Sequence, residues 1–174
     1  MAKVDGIEIR GLDELHRLMR ELPEKIERNI LRGGLRAAAK VVEDEARRLV
    51  PVAPPSGGNA KAYGVAAGAL RASIRTSMRV RTKAGWVNAQ VKAGNKQAWY
   101  AHLVEFGTAR HWIKPKNRKS LFFAGLAREA VDHPGARPKP FMRPAFDANA
   151  QGAIEAMADY IRQRLPKELK KAGK

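Results

Sequence analysis

From Ile74 to Ala93 the chain alternates. Ile74, Thr76, Met78 and Val80 take every second place, with Arg75, Ser77, Arg79 and Arg81 between them. Lys83-Ala84-Gly85 supplies a turn, and Val87, Ala89, Val91 and Ala93 then alternate with Asn88, Gln90 and Lys92. Successive side chains of a strand point to opposite faces, so the pattern predicts a β-hairpin with one apolar and one basic face. An apolar sheet face must be covered by another element, so this ribbon constrains what the flanking segments do.

Those flanks carry helical spacing. Val4 to Arg10, alternating weakly around Ile7 and Ile9, predicts a short first strand. Leu12, Leu15, Leu18, Met19 and Leu22 predict an amphipathic helix. Pro23 suits the first turn of a second helix, where its missing N–H costs nothing. Ile26, Ile30, Leu31, Leu35, Ala38, Val42, Ala46 and Leu49 line one side of that helix, and Arg28, Arg32, Arg36, Lys40, Glu43 and Arg47 the other. Gly33-Gly34 sits inside it, and each glycine costs about 1 kcal/mol against alanine, which predicts a kink or close packing. Pro51 ends the helix.

Residues 51–68, with Pro51, Pro54, Pro55, Gly57, Gly58, Gly64 and Gly68, predict a mobile loop. In Trp99 to Trp112, Tyr100, Leu103, Val104 and Phe106 have helical spacing, and Gly107 follows where a left-handed residue ends a short helix. Leu121 to Phe123 reads as a short strand. Pro138, Pro140 and Pro144 keep the next stretch extended. A final helix is expected over Ala145 to Leu165, with Ile154, Met157, Ala158 and Ile161 on one face and Pro166 as its stop. The expected organisation is one domain over 1–166 and a disordered basic tail over 167–174. The fold class is α+β: a long N-terminal helical region and a C-terminal helix packed on a small antiparallel sheet that contains the hairpin.

The 174 residues include Lys+Arg 34 against Asp+Glu 17, a formal net charge of +17. Such an imbalance selects partners, namely nucleic acid, an acidic protein surface or anionic lipid, and does not select a fold. There are no cysteines, which excludes disulfides, a thiolate metal site and a cysteine nucleophile. The N-terminal stretch has no apolar signal core and no run approaches membrane-spanning length, which reads as a soluble protein made in a cytoplasm.

Little points to catalysis. His16, His102, His111 and His133 are scattered, and His102 with Glu105 finds no third ligand by spacing. The glycine pairs match no phosphate-loop pattern. No enzyme, metal or cofactor is predicted. Glu105, an acid among apolar residues, is expected in a structural ion pair with Arg110 or Arg143. The basic hairpin face, Arg75, Arg79, Arg81 and Lys92, is either a solvated side or a surface for DNA phosphates. A sequence-independent nucleic-acid-binding protein is therefore one functional reading.

YAHLVEFGTAR at Tyr100 to Arg110, followed by HPGARPKPFMRPAF at His133 to Phe146, resembles the tail-completion proteins of bacteriophages with long flexible tails. The minor tail protein Z of phage lambda is a relative. The likeness extends to LDELHRLMRELPEKI near the N-terminus and GALRASI at Gly68 to Ile74, and so covers most of the chain. It implies a structural virion protein at the head–tail junction, assembled in the host cytoplasm as copies in a ring, with six as the natural number. Its partners would be neck and tail proteins such as tail-terminator, head-closure and tape-measure proteins, with genomic DNA as a further candidate and no membrane. By residue type, subunit or neck contacts are expected at Phe106, Thr108, Phe141, Met142 and Pro144.

Overall fold

A computed structural model describes residues 2–4, 7–9, 24–52, 66–81, 86–116, 119–123 and 126–172. The segments are β1 (Ala2–Val4), β2 (Ile7–Ile9), α1 (Glu24–Leu49), α2 (Ala69–Ser73), β3 (Arg75–Arg81), β4 (Trp86–Lys92), α3 (Ala101–Phe106), β5 (His111–Ile113), β6 (Leu121–Phe123), β7 (Leu126–Arg128), β8 (Val131–His133) and α4 (Met142–Ala172). The fold is α+β.

Among the described residues the two long helices, α1 and α4, form the most extensive contact. The glycine pair in α1 faces α4 side chains directly. A Cβ on Gly34 would stand 3.0 Å from Met157 Cγ, and one on Gly33 would collide with the Tyr160 ring. Of the two expected roles for Gly33-Gly34, close packing is therefore the one observed. Ile30, Met157 and Ile161 are buried at one end of this contact. At the other end Val42, Ala46 and Val50 meet Leu70, Ile74, Ala98, Ala101, Phe141, Ala145 and Ala153. Many of these are alanines, which lets backbones approach closely around the larger Phe141 and Ile74.

The hairpin forms as its alternation requires. Thr76↔Val91, Met78↔Ala89 and Val80↔Val87 pair across β3 and β4. Thr76 Oγ1 on this face donates to Glu43 Oε2 of α1 at 2.7 Å. The base of the ribbon is tied to α2: Ser73 Oγ donates to Leu70 O and accepts Gly94 N–H, at 2.7 and 2.9 Å.

Among the described residues the strands make four separate two-stranded antiparallel ladders, β1–β2, β3–β4, β5–β8 and β6–β7. Where one N-terminal strand was expected, two three-residue strands pair with each other. The final helix starts at Met142 rather than Ala145 and runs through Pro166 to Ala172, into the segment expected to be a disordered tail. Proline removes one helical hydrogen bond. Here Leu165 packs against the Ile30 cluster, and Arg164 pairs with Glu168 across the proline at 3.0 Å, so both flanks are held. The expected helix over Leu12 to Leu22, loop residues 53–65 and the turn at 83–85 lie outside the described residues.

Candidate functional site

The two sequence stretches that stand out, Trp99 to Trp112 and His133 to Phe146, meet in space. Asn95 Oδ1 accepts the N–H groups of Gln97 and Ala98 and turns the chain into α3. Helix α3 buries Ala101 and Glu105. The Glu105 carboxylate faces the start of α4 and is itself 8% exposed. Its Oε2 accepts the N–H of Phe141 at 2.8 Å and of Met142 at 3.0 Å, and its Oε1 accepts that of Arg143 at 3.1 Å. Pro144 has no N–H, and Ala145 N–H already bonds to Phe141 O. One side chain therefore satisfies every free donor at this helix start, where its negative charge is also favoured by the helix dipole.

Gly107 then lies at φ 72, ψ −172. That is an extended glycine-only conformation, where a left-handed cap was expected. A Cβ here would stand 2.5 Å from Ala136 O and 2.8 Å from Pro138 N, so the turn is pressed against the opposing strand. Thr108 and Ala136 exchange backbone hydrogen bonds at 2.9 and 3.1 Å, and Ala136 N–H also reaches Thr108 Oγ1 at 2.9 Å. Lys139 N–H donates to Val104 O at 2.8 Å. Beyond this seam β5 pairs with β8, His111 opposite His133 with ring centroids 5.0 Å apart.

The expected ion pair of Glu105 with Arg110 or Arg143 does not form. Arg110 instead makes a bidentate contact with Asp132 on β8. The hydrogen bond from Arg110 holds the Asp132 carboxyl below its ordinary value, against a small opposing effect of desolvation. A carboxylate beside a bare helix start meets three N–H donors without leaving the core. His102 Nδ1 bonds to Trp99 O at 3.0 Å.

The residues expected at subunit contacts divide. Phe141 is fully buried and presents no surface. Thr108, Met142 and Pro144 are half-buried at the seam. Phe106 is 79% exposed, on a helix whose next residue is locked by close backbone contacts. Phe106 and Met142 line one open cleft with Ala93, His102, Pro140 and Arg143. Trp99, Trp112, Phe122 and Leu126 are exposed as well, and composition gave no sign of it.

On the hairpin, Arg75 stands opposite Lys92, and Arg79 opposite Asn88, on the face away from Thr76 and Met78. Arg75 donates to Ser73 O and Gly94 O at 3.0 and 2.7 Å and so serves the fold. Arg79 is exposed and Lys92 half-buried, while the side chain of Arg81 is outside the described residues. Among the described residues no helix is long and apolar enough to cross a membrane.

No curated protein and no solved structure matches the chain. One family model does, described as "Bacteriophage HK97-gp10, putative tail-component", over residues 13–107. The match spans α1, the hairpin and α3, and ends at Gly107, the glycine of the seam. It covers more than half of the 174 residues, and the chain belongs to the HK97-gp10-like family of bacteriophage tail components.

Proposed function

We propose that this protein completes the phage tail and joins it to the head at the neck, as copies in a closed ring. The carrying observation is Phe106. A large apolar side chain is 79% exposed on a turn that Glu105, Gly107 and the Thr108–Ala136 bridge make rigid. An exposed aromatic on a fixed backbone is a good interface anchor, because little backbone freedom is lost on docking. Phe122, 82% exposed on the β6–β7 ribbon, gives a second apolar surface of different shape. Two unlike patches suit a heterologous contact repeated around an axis, and six copies accord with the implied symmetry of the tail. Assembly partners are neighbouring tail and neck proteins, and the virion is the location. The role is mechanical, with no turnover.

Deleting the gene from its phage and imaging the lysate by electron microscopy tests this. Filled heads lying apart from tails are expected, and normal joined virions would overturn the proposal.

A second reading, sequence-independent binding of DNA through the hairpin, is favoured by the register that gathers Arg75, Arg79 and Lys92 on one face. Each phosphate contact adds about 0.9 to the log–log salt slope of binding. Replacing Arg79 and Arg81 with alanine would then lower that slope by roughly 2, and an unchanged slope would remove this reading.

A further inference from the structure

We propose that the cleft between α1 and α4, beside Gly33, is a phosphate-binding site. Asn29, Arg32 and Arg36 form one wall, and Tyr160, Arg164 and Glu168 the other, around about 330 Å³.

Arg28, Arg32, Arg36 and Lys40 recur every four residues along α1, so they stand one above the next and repel one another. Lys40 is relieved by Asp44 at 2.6 Å. Arg32 and Arg36 have no ion pair or hydrogen bond among the described residues, and both are exposed toward the cleft. Among the described residues the only acid lining it, Glu168, is bonded to Arg164 at 3.0 Å and lies near Lys171 at 3.8 Å. Among the described residues, two guanidiniums about one helical turn apart are left without a counter-charge.

A neutral donor shares the cleft with them. Gly33 lacks the Cβ that would collide with the Tyr160 ring and hydroxyl, so that hydroxyl rests directly on α1 at Gly33, in the cleft that Arg32 and Arg36 line. It has no hydrogen-bond partner among the described residues. The glycine therefore brings a phenolic O–H from α4 into a cationic pocket of α1.

The donors come from both walls, and this favours phosphate over carboxylate. A planar carboxylate offers its two oxygens to one side, whereas a tetrahedral phosphate offers oxygens in several directions at once. Guanidinium forks fit phosphate oxygens in pairs and shed water readily. The phosphate could belong to a polynucleotide backbone or to a small phosphorylated compound, and the experiment separates these.

Binding of the full chain to a labelled 20-base-pair DNA duplex is measured by fluorescence anisotropy across a salt series. Binding of inorganic phosphate is measured by calorimetry. The variants are Arg32→Ala/Arg36→Ala, Tyr160→Phe, and a control outside the cleft and off the hairpin face, Arg71→Ala/Arg128→Ala. If the backbone is the ligand, the cleft pair lowers the salt slope by about 2. Tyr160→Phe, which alters no charge, then weakens binding several-fold, and the control pair does so less than the cleft pair. If only inorganic phosphate binding depends on Arg32, Arg36 and Tyr160, the site stands and its ligand is a small phosphate compound. Equal losses from the cleft and control pairs, with no effect of Tyr160→Phe, would show general charge attraction and overturn the proposal. So would binding of poly-L-glutamate that depends on these residues while phosphate and duplex do not, since the cleft would then receive an acidic protein partner. Both arginines are exposed, so an unchanged thermal midpoint is expected and confirms that the variants fold.

Discussion

Glu105 Oε2 accepts the backbone N–H of Phe141 at 2.8 Å, across 36 residues of sequence. The same carboxylate takes the next two N–H groups, so a short helix from one stretch caps the long helix of another. Glu105→Ala leaves three N–H groups at a buried helix start with no partner. A loss of about 3 kcal/mol or more is expected in denaturant unfolding. Glu105→Gln can turn its oxygen toward Phe141 and Met142 but then sets an NH2 against Arg143 N–H, for a loss of about 1–3 kcal/mol. An Arg110→Ala variant as damaging as Glu105→Ala would contradict this assignment.

Gly107→Ala would place a methyl against Ala136 O and Pro138 N in a conformation that only glycine adopts readily. Backbone strain alone is of order 1–3 kcal/mol, and the neighbours are backbone atoms that cannot yield. The expected outcome is a thermal midpoint lowered by ten degrees or more, roughly, or insoluble protein. An unchanged midpoint would mean that the seam is open.

Much of this architecture is legible in the sequence. The hairpin is, because β3 and β4 are seven residues each, long enough for a period of two to show. Helix α1 is, through its apolar row, and Gly33-Gly34 announces a kink or close packing without deciding between them or naming Tyr160 as the side chain admitted. The capping role of Glu105 is not legible, since its partners are backbone N–H groups that residue types do not display. Arg110 beside it suggested an ion pair, while the actual partner, Asp132, lies 22 residues on. Strands β5 and β8 are three residues each and too short to carry a pattern. Pro166 reads as a stop by local rules, which the packing of Leu165 and the Arg164–Glu168 pair override.

Glu43 links α1 to the hairpin. It is buried, accepts Thr76 Oγ1 at 2.7 Å and faces Arg47 at 3.0 Å. Desolvation pushes its carboxyl up, but the Thr76 hydrogen bond and the charges of Arg47 and Lys40 outweigh this and hold it below the ordinary value. A depressed folded-state pKa gives stability that is complete above the unfolded value, near 4.3, and lost as pH falls through the folded one. Glu43→Gln is therefore expected to cost about 1 kcal/mol at pH 7, with the gap to wild type closing below about pH 4. A gap of the same size at both pH values would show that the charge contributes nothing.

Gly33→Ala gains helix propensity of about 1 kcal/mol but must displace the Tyr160 ring from α1. The net expectation is a loss of stability, with duplex binding weakened as in Tyr160→Phe. A more stable variant with unchanged binding would show that the ring moves aside freely and that its hydroxyl is not part of the cleft.

The most direct test of the neck proposal is Phe106→Ser, supplied in place of the wild-type gene in the phage. At 79% exposure the change should alter folding stability by no more than about 0.5 kcal/mol. The folded variant is expected nonetheless to leave filled heads and separate tails in electron micrographs, with infectious titre falling by orders of magnitude. Joined virions at wild-type titre would contradict the role assigned to this residue and to the turn that holds it.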